Sequence, residues 1–208
     1  MTKRSKLLSC VILAIAVAAG AAAVLRGSFR PSTALASGTL LAPARAPADF
    51  SLIDNRGRAF GPANLRGHWS LLFFGYTNCP DFCPTTLTTL AVLEKRLRAS
   101  GATVVPQVVF VSLDAARDTP AQLNKYVPNF DPGFIGVTAA SQADIEKVAK
   151  QWGIAVAIQR AANGNYAIDH SEAIFVVNPD GKLSAILSGP FSADVLQGDF
   201  ERIVSARA

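Results

Sequence analysis

The stretch HWSLLFFGYTNCPDFCPTTL, residues 68–87, passes from a continuous apolar run through a turn-rich loop into a helical pattern. An unbroken run such as WSLLFFGY reads as a strand buried on both faces, since a half-exposed strand would alternate. Pro84 marks the start of a helix to Arg98, in which Leu87, Leu90, Leu93 and Leu97 fall at helical spacing. Cys79 and Cys83 therefore lie where a buried strand hands over to a helix, the place where open α/β sheets form ligand crevices.

The flanking sequence repeats this order. VVPQVVFVSLD is a second buried strand, and Thr119-Pro120-Ala121-Gln122 then supplies an N-cap, a first-turn proline and a capping-box glutamine for a helix ending near Asn129. GFIGVT is a third strand, and Ser141 to Trp152 a helix with Ile145, Val148, Ala149 and Trp152 on one face. Upstream, DFSLIDNRGRAF predicts a hairpin around Asn55-Arg56-Gly57. Downstream, segments 153–160 and 166–169 flank AANGN, AIFVVNPDGKLSAIL makes another hairpin, and a last helix begins near Ser192. Strand–helix units joined to antiparallel edges predict a thioredoxin-like α/β fold: a central mixed sheet flanked by helices, with an added hairpin before a histidine-bearing loop.

Charge excludes one class of partner. The net charge is +5, but Lys3, Arg4, Lys6, Arg26 and Arg30 lie in the first thirty residues, leaving fifteen basic residues against fifteen acidic ones. A neutral body argues against nucleic acid. Leu7 to Leu25 carries no charge and approaches the ~20 residues of a bilayer span. We expect residues 1–27 to be a membrane anchor or uncleaved signal, 28–48 a flexible tether rich in Pro, Ala, Ser and Gly, and 49–208 the folded domain. More basic charge before the span than after it sends the domain to the non-cytoplasmic side. Cys10 precedes the apolar centre of this segment, so it reads as a small apolar residue and not a lipidation site.

Soft-metal ligands in the domain are few: Cys79, Cys83, His68 and His170, the single Met being the initiator. A helix N-terminus favours thiolate, which suits Cys83 to redox exchange or to metal binding; two buried structural cysteines are the plain alternative. His68 stands at the far end of the strand, more than about 20 Å from the cysteines at ~3.3 Å per residue, and reads as an exposed histidine. His170, in YAIDHSEAIFVV, precedes a strand expected to run beside the cysteine loop; spacing alone leaves it open between ligand and structural residue. Asp169 and Ser171 are placed to orient its ring or cap the strand. Adjacent Asp, His and Ser do not make a hydrolase triad, whose members converge from separate elements.

Taken together, GYTNCPDFCPTTL, VSLDAARDTP and YAIDHSEAIFVVNPDG resemble the Sco/SenC family of copper-handling proteins over most of residues 49–208. The resemblance implies a thioredoxin-like domain in the periplasm, or an equivalent space, tethered to the inner membrane by one span. It also implies one copper ion, Cu(I) or Cu(II), on Cys79, Cys83 and His170, taken from a donor protein. The implied task is assembly of the dinuclear copper centre of cytochrome c oxidase subunit II or a similar acceptor. Donor types alone would also admit zinc, so copper rests on the resemblance. A thiol–disulfide oxidoreductase that reduces the acceptor's cysteines is the alternative, and a peroxidase a distant third. Asp114, Arg117 and Asp118 read either as a partner-facing group or as a local ion pair with a helix cap; Ala115 replaces the proline often seen in this motif.

Overall fold

The computed structural model describes residues 34–206. At its centre lie three strands with almost no exposed residue: β4 (Ser70–Gly75), β5 (Gln107–Ser112) and β9 (Ala173–Val177). Full burial on both faces is what their continuous apolar sequences demand, and β4 pairs parallel with β5 and antiparallel with β9. Outside them come β6 (Ile135–Thr138), parallel to β5, then the short hairpin β2 (Leu52–Asp54) and β3 (Ala59–Phe60); on the other side come β10 (Leu183–Ser188) and β1 (Gly38–Arg45). The eight-stranded order is β1-β10-β9-β4-β5-β6-β2-β3, a mixed sheet as expected.

Alternation along β4 assigns the two covering layers. Phe73 meets Phe110 and Phe82, the first residue of α1 (Phe82–Ala99), whereas its neighbour Phe74 meets Phe175 and Trp152, the C-cap of α3 (Gln142–Gln151). Leu87, Leu90, Leu93 and Leu97 form the buried stripe of α1, which also packs on α4 (Ala193–Ala206). Helix α2 (Pro120–Tyr126) is capped by Thr119, whose side chain accepts from the Gln122 N–H, and it packs on β6.

Two boundaries differ from the sequence reading. Helix α1 starts at Phe82, two residues before Pro84, so Cys83 lies inside its first turn. Within the expected tether 28–48, Gly38–Arg45 forms edge strand β1, paired antiparallel with β10. Nothing periodic in GTLLAPAR announces a strand; its partner lies some 150 residues away. Gly38 is required there, because a Cβ would lie 2.2 Å from the Ile186 carbonyl oxygen. The buried Asp199 carboxylate in α4 fixes the same end by accepting from the backbone N–H groups of Ala36 and Ser37 and from the Ser37 hydroxyl. The anchor expected in residues 1–27 lies outside the described residues. Among the described residues, no helix is long and apolar enough to cross a membrane.

β7 (Val156–Arg160) and β8 (Tyr166–His170) form a separate two-stranded hairpin. His170 is not on a loop beyond this hairpin: it is the last residue of β8, paired with Val156.

Candidate metal centre

The antiparallel register of β9 on β4, with Ile174 opposite Phe73, brings the chain just before Ala173 to the end of β4 where the cysteine loop departs. This is how residues 87 positions apart meet: Cys83 Sγ and His170 Nε2 lie 3.9 Å from each other. His170 Nδ1 stands 3.1 Å from the Ser171 carbonyl oxygen, which can only accept, so the proton is on Nδ1 and the Nε2 lone pair faces the sulfur. Alternation along β8 turns Tyr166, Ile168 and His170 inward and leaves Asp169 exposed, so the ring is oriented by the Ser171 carbonyl and not by Asp169. The Ser171 hydroxyl accepts from the Ala155 N–H, closing the base of the hairpin.

Cys83 is fully buried, and its sulfur rests against Gly75 at the end of β4. A Cβ there would lie 2.8 Å from Cys83 Sγ and 2.8 Å from Phe110, so only glycine admits the sulfur. Cys79 is half-buried, and its sulfur accepts from the Cys83 N–H at 3.4 Å. Helical placement alone suggests a thiolate at Cys83, but burial outweighs it. Desolvation pushes this thiol well above its ordinary range, Cys79 beside it adds to the push, and a backbone hydrogen bond at Tyr76 opposes it only in part.

The structure thus brings Cys83 and His170 together, with Cys79 beside Cys83. Among the described residues no group of three or more His, Cys, Asp and Glu side chains stands at metal-holding spacing. His68, exposed before β4, is outside the site as its position in the chain required.

Asp114, Arg117 and Asp118 turn inward. Asp118, fully buried, accepts from the Thr77 N–H at 2.8 Å, the Thr77 hydroxyl at 2.6 Å and the Ser112 hydroxyl at 2.6 Å, and so pins the first turn of the cysteine loop to the end of β5. Burial raises its carboxyl above the ordinary range despite these donors. Asp114 is ion-paired with Arg117 and accepts from the Tyr166 hydroxyl at 2.8 Å. Nothing in the sequence singles out Tyr76 or Tyr166. An aromatic after a buried strand ordinarily signals core, and only the fold places the Tyr76 ring edge-on to His170, with centroids 6.4 Å apart.

The family model for SCO1/SenC matches residues 39–205. The chain belongs to the SCO1/SenC family. A Stutzerimonas stutzeri protein named "Putative copper-binding protein" is 34% identical over 189 residues, 91% of this chain and 90% of its own length. The bovine mitochondrial SCO2 homolog is 35% identical over 159 residues, 76% of this chain; the match spans 59% of the bovine protein. Among solved structures, copper-bound ScoI of Arabidopsis thaliana superposes with a TM-score of 0.73 at 30% identity, covering 77% of this chain and 98% of that one. This SCO1/SenC domain therefore has the thioredoxin-like architecture expected of it, with Cys79, Cys83 and His170 at the same end of the sheet.

Proposed function

We propose that this protein is a membrane-tethered copper chaperone that takes one copper ion on Cys79, Cys83 and His170 and delivers it to the dinuclear copper centre of cytochrome c oxidase subunit II or a similar acceptor. The observation that carries the reading is the meeting of Cys83 Sγ and His170 Nε2 at 3.9 Å, with Nδ1 directed to the Ser171 carbonyl oxygen and the Nε2 lone pair turned to the sulfur. Soft sulfur suits Cu(I), and imidazole nitrogen helps to retain Cu(II). The copper-bound structure of a 30% identical relative supports copper over zinc.

Copper is cargo in this reading. Each thiol that ligates it gives up its proton to solvent, so uptake favours higher pH, most of all through Cys83. Release follows when thiolates of the acceptor displace Cys79 and Cys83 and the His170 hairpin lets go. An anchor in residues 1–27 places the domain on the periplasmic side of the inner membrane and confines the encounter to that surface, raising effective concentration.

The second reading is a thiol–disulfide oxidoreductase, favoured by the more exposed Cys79 beside a buried Cys83. There the Cys79 thiolate attacks an acceptor disulfide, releasing one acceptor thiolate. Cys83, as thiolate, then displaces the second, so the acceptor gains two electrons and Cys79–Cys83 becomes the disulfide.

Titration of the reduced full-length protein in detergent with Cu(I) and Cu(II), beside a purified acceptor domain, tests both. The chaperone reading expects one copper per chain, transfer to the acceptor, loss of stable Cu(II) binding in His170→Ala with some two-thiolate Cu(I) binding retained, and no change in His68→Ala. Reduction of the acceptor disulfide without copper transfer would establish the oxidoreductase instead.

A further inference from the structure

The loop after β5 grips both halves of the candidate site, and the residue at its centre is Arg117. On one side Asp118 holds Thr77, as described; on the other, three contacts reach the hairpin that carries His170. The Tyr166 hydroxyl donates to Asp114, Arg117 Nη1 donates to the Tyr166 carbonyl at 3.1 Å, and the guanidinium carbon lies 3.6 Å from the centroid of the Tyr166 ring. The same carbon lies 5.8 Å from the centroid of Tyr76, whose ring meets His170 edge-on. One planar cation therefore contacts a tyrosine from each half of the site.

A simple ion pair with Asp114 does not account for this placement. Lysine could neutralise the carboxylate, but it has neither the flat face that stacks on rings nor the fork that reaches a carbonyl at the same time. The side chain is 27% exposed, and its Nη2 is buried with no hydrogen-bond partner among the described residues. Leaving a donor unpaired is unfavourable, and contact with the tyrosines is what the buried position gains in return.

We propose that Arg117 is a positioning residue: by stacking on Tyr166 and contacting Tyr76 it holds the β7–β8 hairpin against the cysteine loop and so sets whether His170 Nε2 faces Cys83. The consequence for copper rests on the chaperone reading above; the consequence for the hairpin does not. Arg117 touches no reacting atom and acts through the tyrosines.

The test compares the parent protein with Arg117→Lys, Arg117→Ala and Tyr166→Phe. In the reduced, metal-free protein, amide hydrogen exchange should rise roughly tenfold at Tyr166–His170 in both Arg117 variants, the size expected for losing a desolvated cation–π contact. Exchange in β4 and β5 should stay at parent rates, and Tyr166→Phe, which keeps the ring, should fall between. On addition of Cu(II), the thiolate-to-copper absorption of Arg117→Lys should approach that of His170→Ala. Hairpin exchange at the parent rate in Arg117→Lys overturns the proposal, as does exchange raised equally throughout the sheet, which would mark a general structural role. If Arg117→Ala does not fold, Arg117→Lys decides. A parent protein that takes up no copper refutes the chaperone reading, while the exchange measurement still decides the role of Arg117.

Discussion

The cysteine half and the histidine half of the site are built from different materials. Cys83 sits in the first turn of a helix packed on the buried central strands, its sulfur lodged against Gly75. His170 ends a two-stranded hairpin that forms a small sheet of its own, faces solvent along one side, and is held through Tyr166 by Arg117, with Tyr76 against the imidazole. The first half owes its geometry to apolar burial and to the buried Asp118 carboxylate that pins Thr77 to Ser112; the second owes it to a few part-exposed polar and aromatic contacts that can open locally. The proposed chaperone role asks that an ion be held and then given up, and this asymmetry suits it. In that role the cysteine sulfurs would stay in place while the His170 nitrogen leaves.

The largest effect that would break this comparison belongs to the core beneath the cysteines. Phe73 has no exposed surface and packs on Phe82 and Phe110, so Phe73→Ala should cost about 3–5 kcal/mol of domain stability in urea unfolding. A loss below about 1 kcal/mol would mean that the cysteine half does not rest on this packing. Next comes Gly75→Ala, where the added methyl must displace Cys83 Sγ or the Phe110 ring. The expected loss is about 1–3 kcal/mol, with slower closure of the Cys79–Cys83 disulfide in air. Unchanged stability would show that the sulfur is free to move aside.

Legibility in the sequence follows the same division. The WSLLFFGY and VVFVS runs, the leucine spacing of α1 and the Thr119 cap declare the parallel core, because burial on both faces and helical periodicity are local signals. The same signals suffice to put Cys79 and Cys83 at the carboxyl end of β4. His170 is legible only as a candidate, since proximity to Cys83 depends on the register of β9 against β4. β1 reads as tether because its pairing with β10 and its clasp on Asp199 are non-local. The Tyr76 and Tyr166 roles are invisible for the same reason. Each needs Arg117, delivered by a loop from elsewhere in the chain.

The Asp199 clasp offers a polar attachment at the edge strand of the sheet, and acid should loosen it. Burial alone would raise this carboxyl, but the N–H groups of Ala36 and Ser37, the Ser37 hydroxyl and Arg202 together hold it below the ordinary carboxylate range. A carboxylate whose folded value is depressed contributes stability that is complete above its unfolded value of about 3.9 and is lost as pH falls through the folded value. Below pH 4 we therefore expect β1 amides to exchange faster while those of β4 and β5 keep their protection. Asp199→Asn should bring that behaviour to pH 7, at about 1–2 kcal/mol for the lost charge-assisted bonds. Equal exchange of β1 in variant and parent at pH 7 would remove the clasp from the account.

The smallest expected effect tests the histidine half directly. Ile158 pairs with the buried Ile168 across the hairpin and is itself only half-buried against the core. Truncation to alanine removes apolar surface from a site that water already reaches, so little cavity is left behind and the loss reduces to the transfer free energy of a partly covered side chain, about 1 kcal/mol or less. The same change removes one of the few apolar contacts of β7–β8, so its effect on local opening should exceed its effect on global unfolding. Ile158→Ala should then leave the urea midpoint close to the parent's while speeding amide exchange at Tyr166–His170. A global loss comparable to that of Phe73→Ala would mean that the hairpin folds as one unit with the cysteine core. Release of His170 would then require the whole domain to open, and ligand exchange led by the histidine would lose its structural basis.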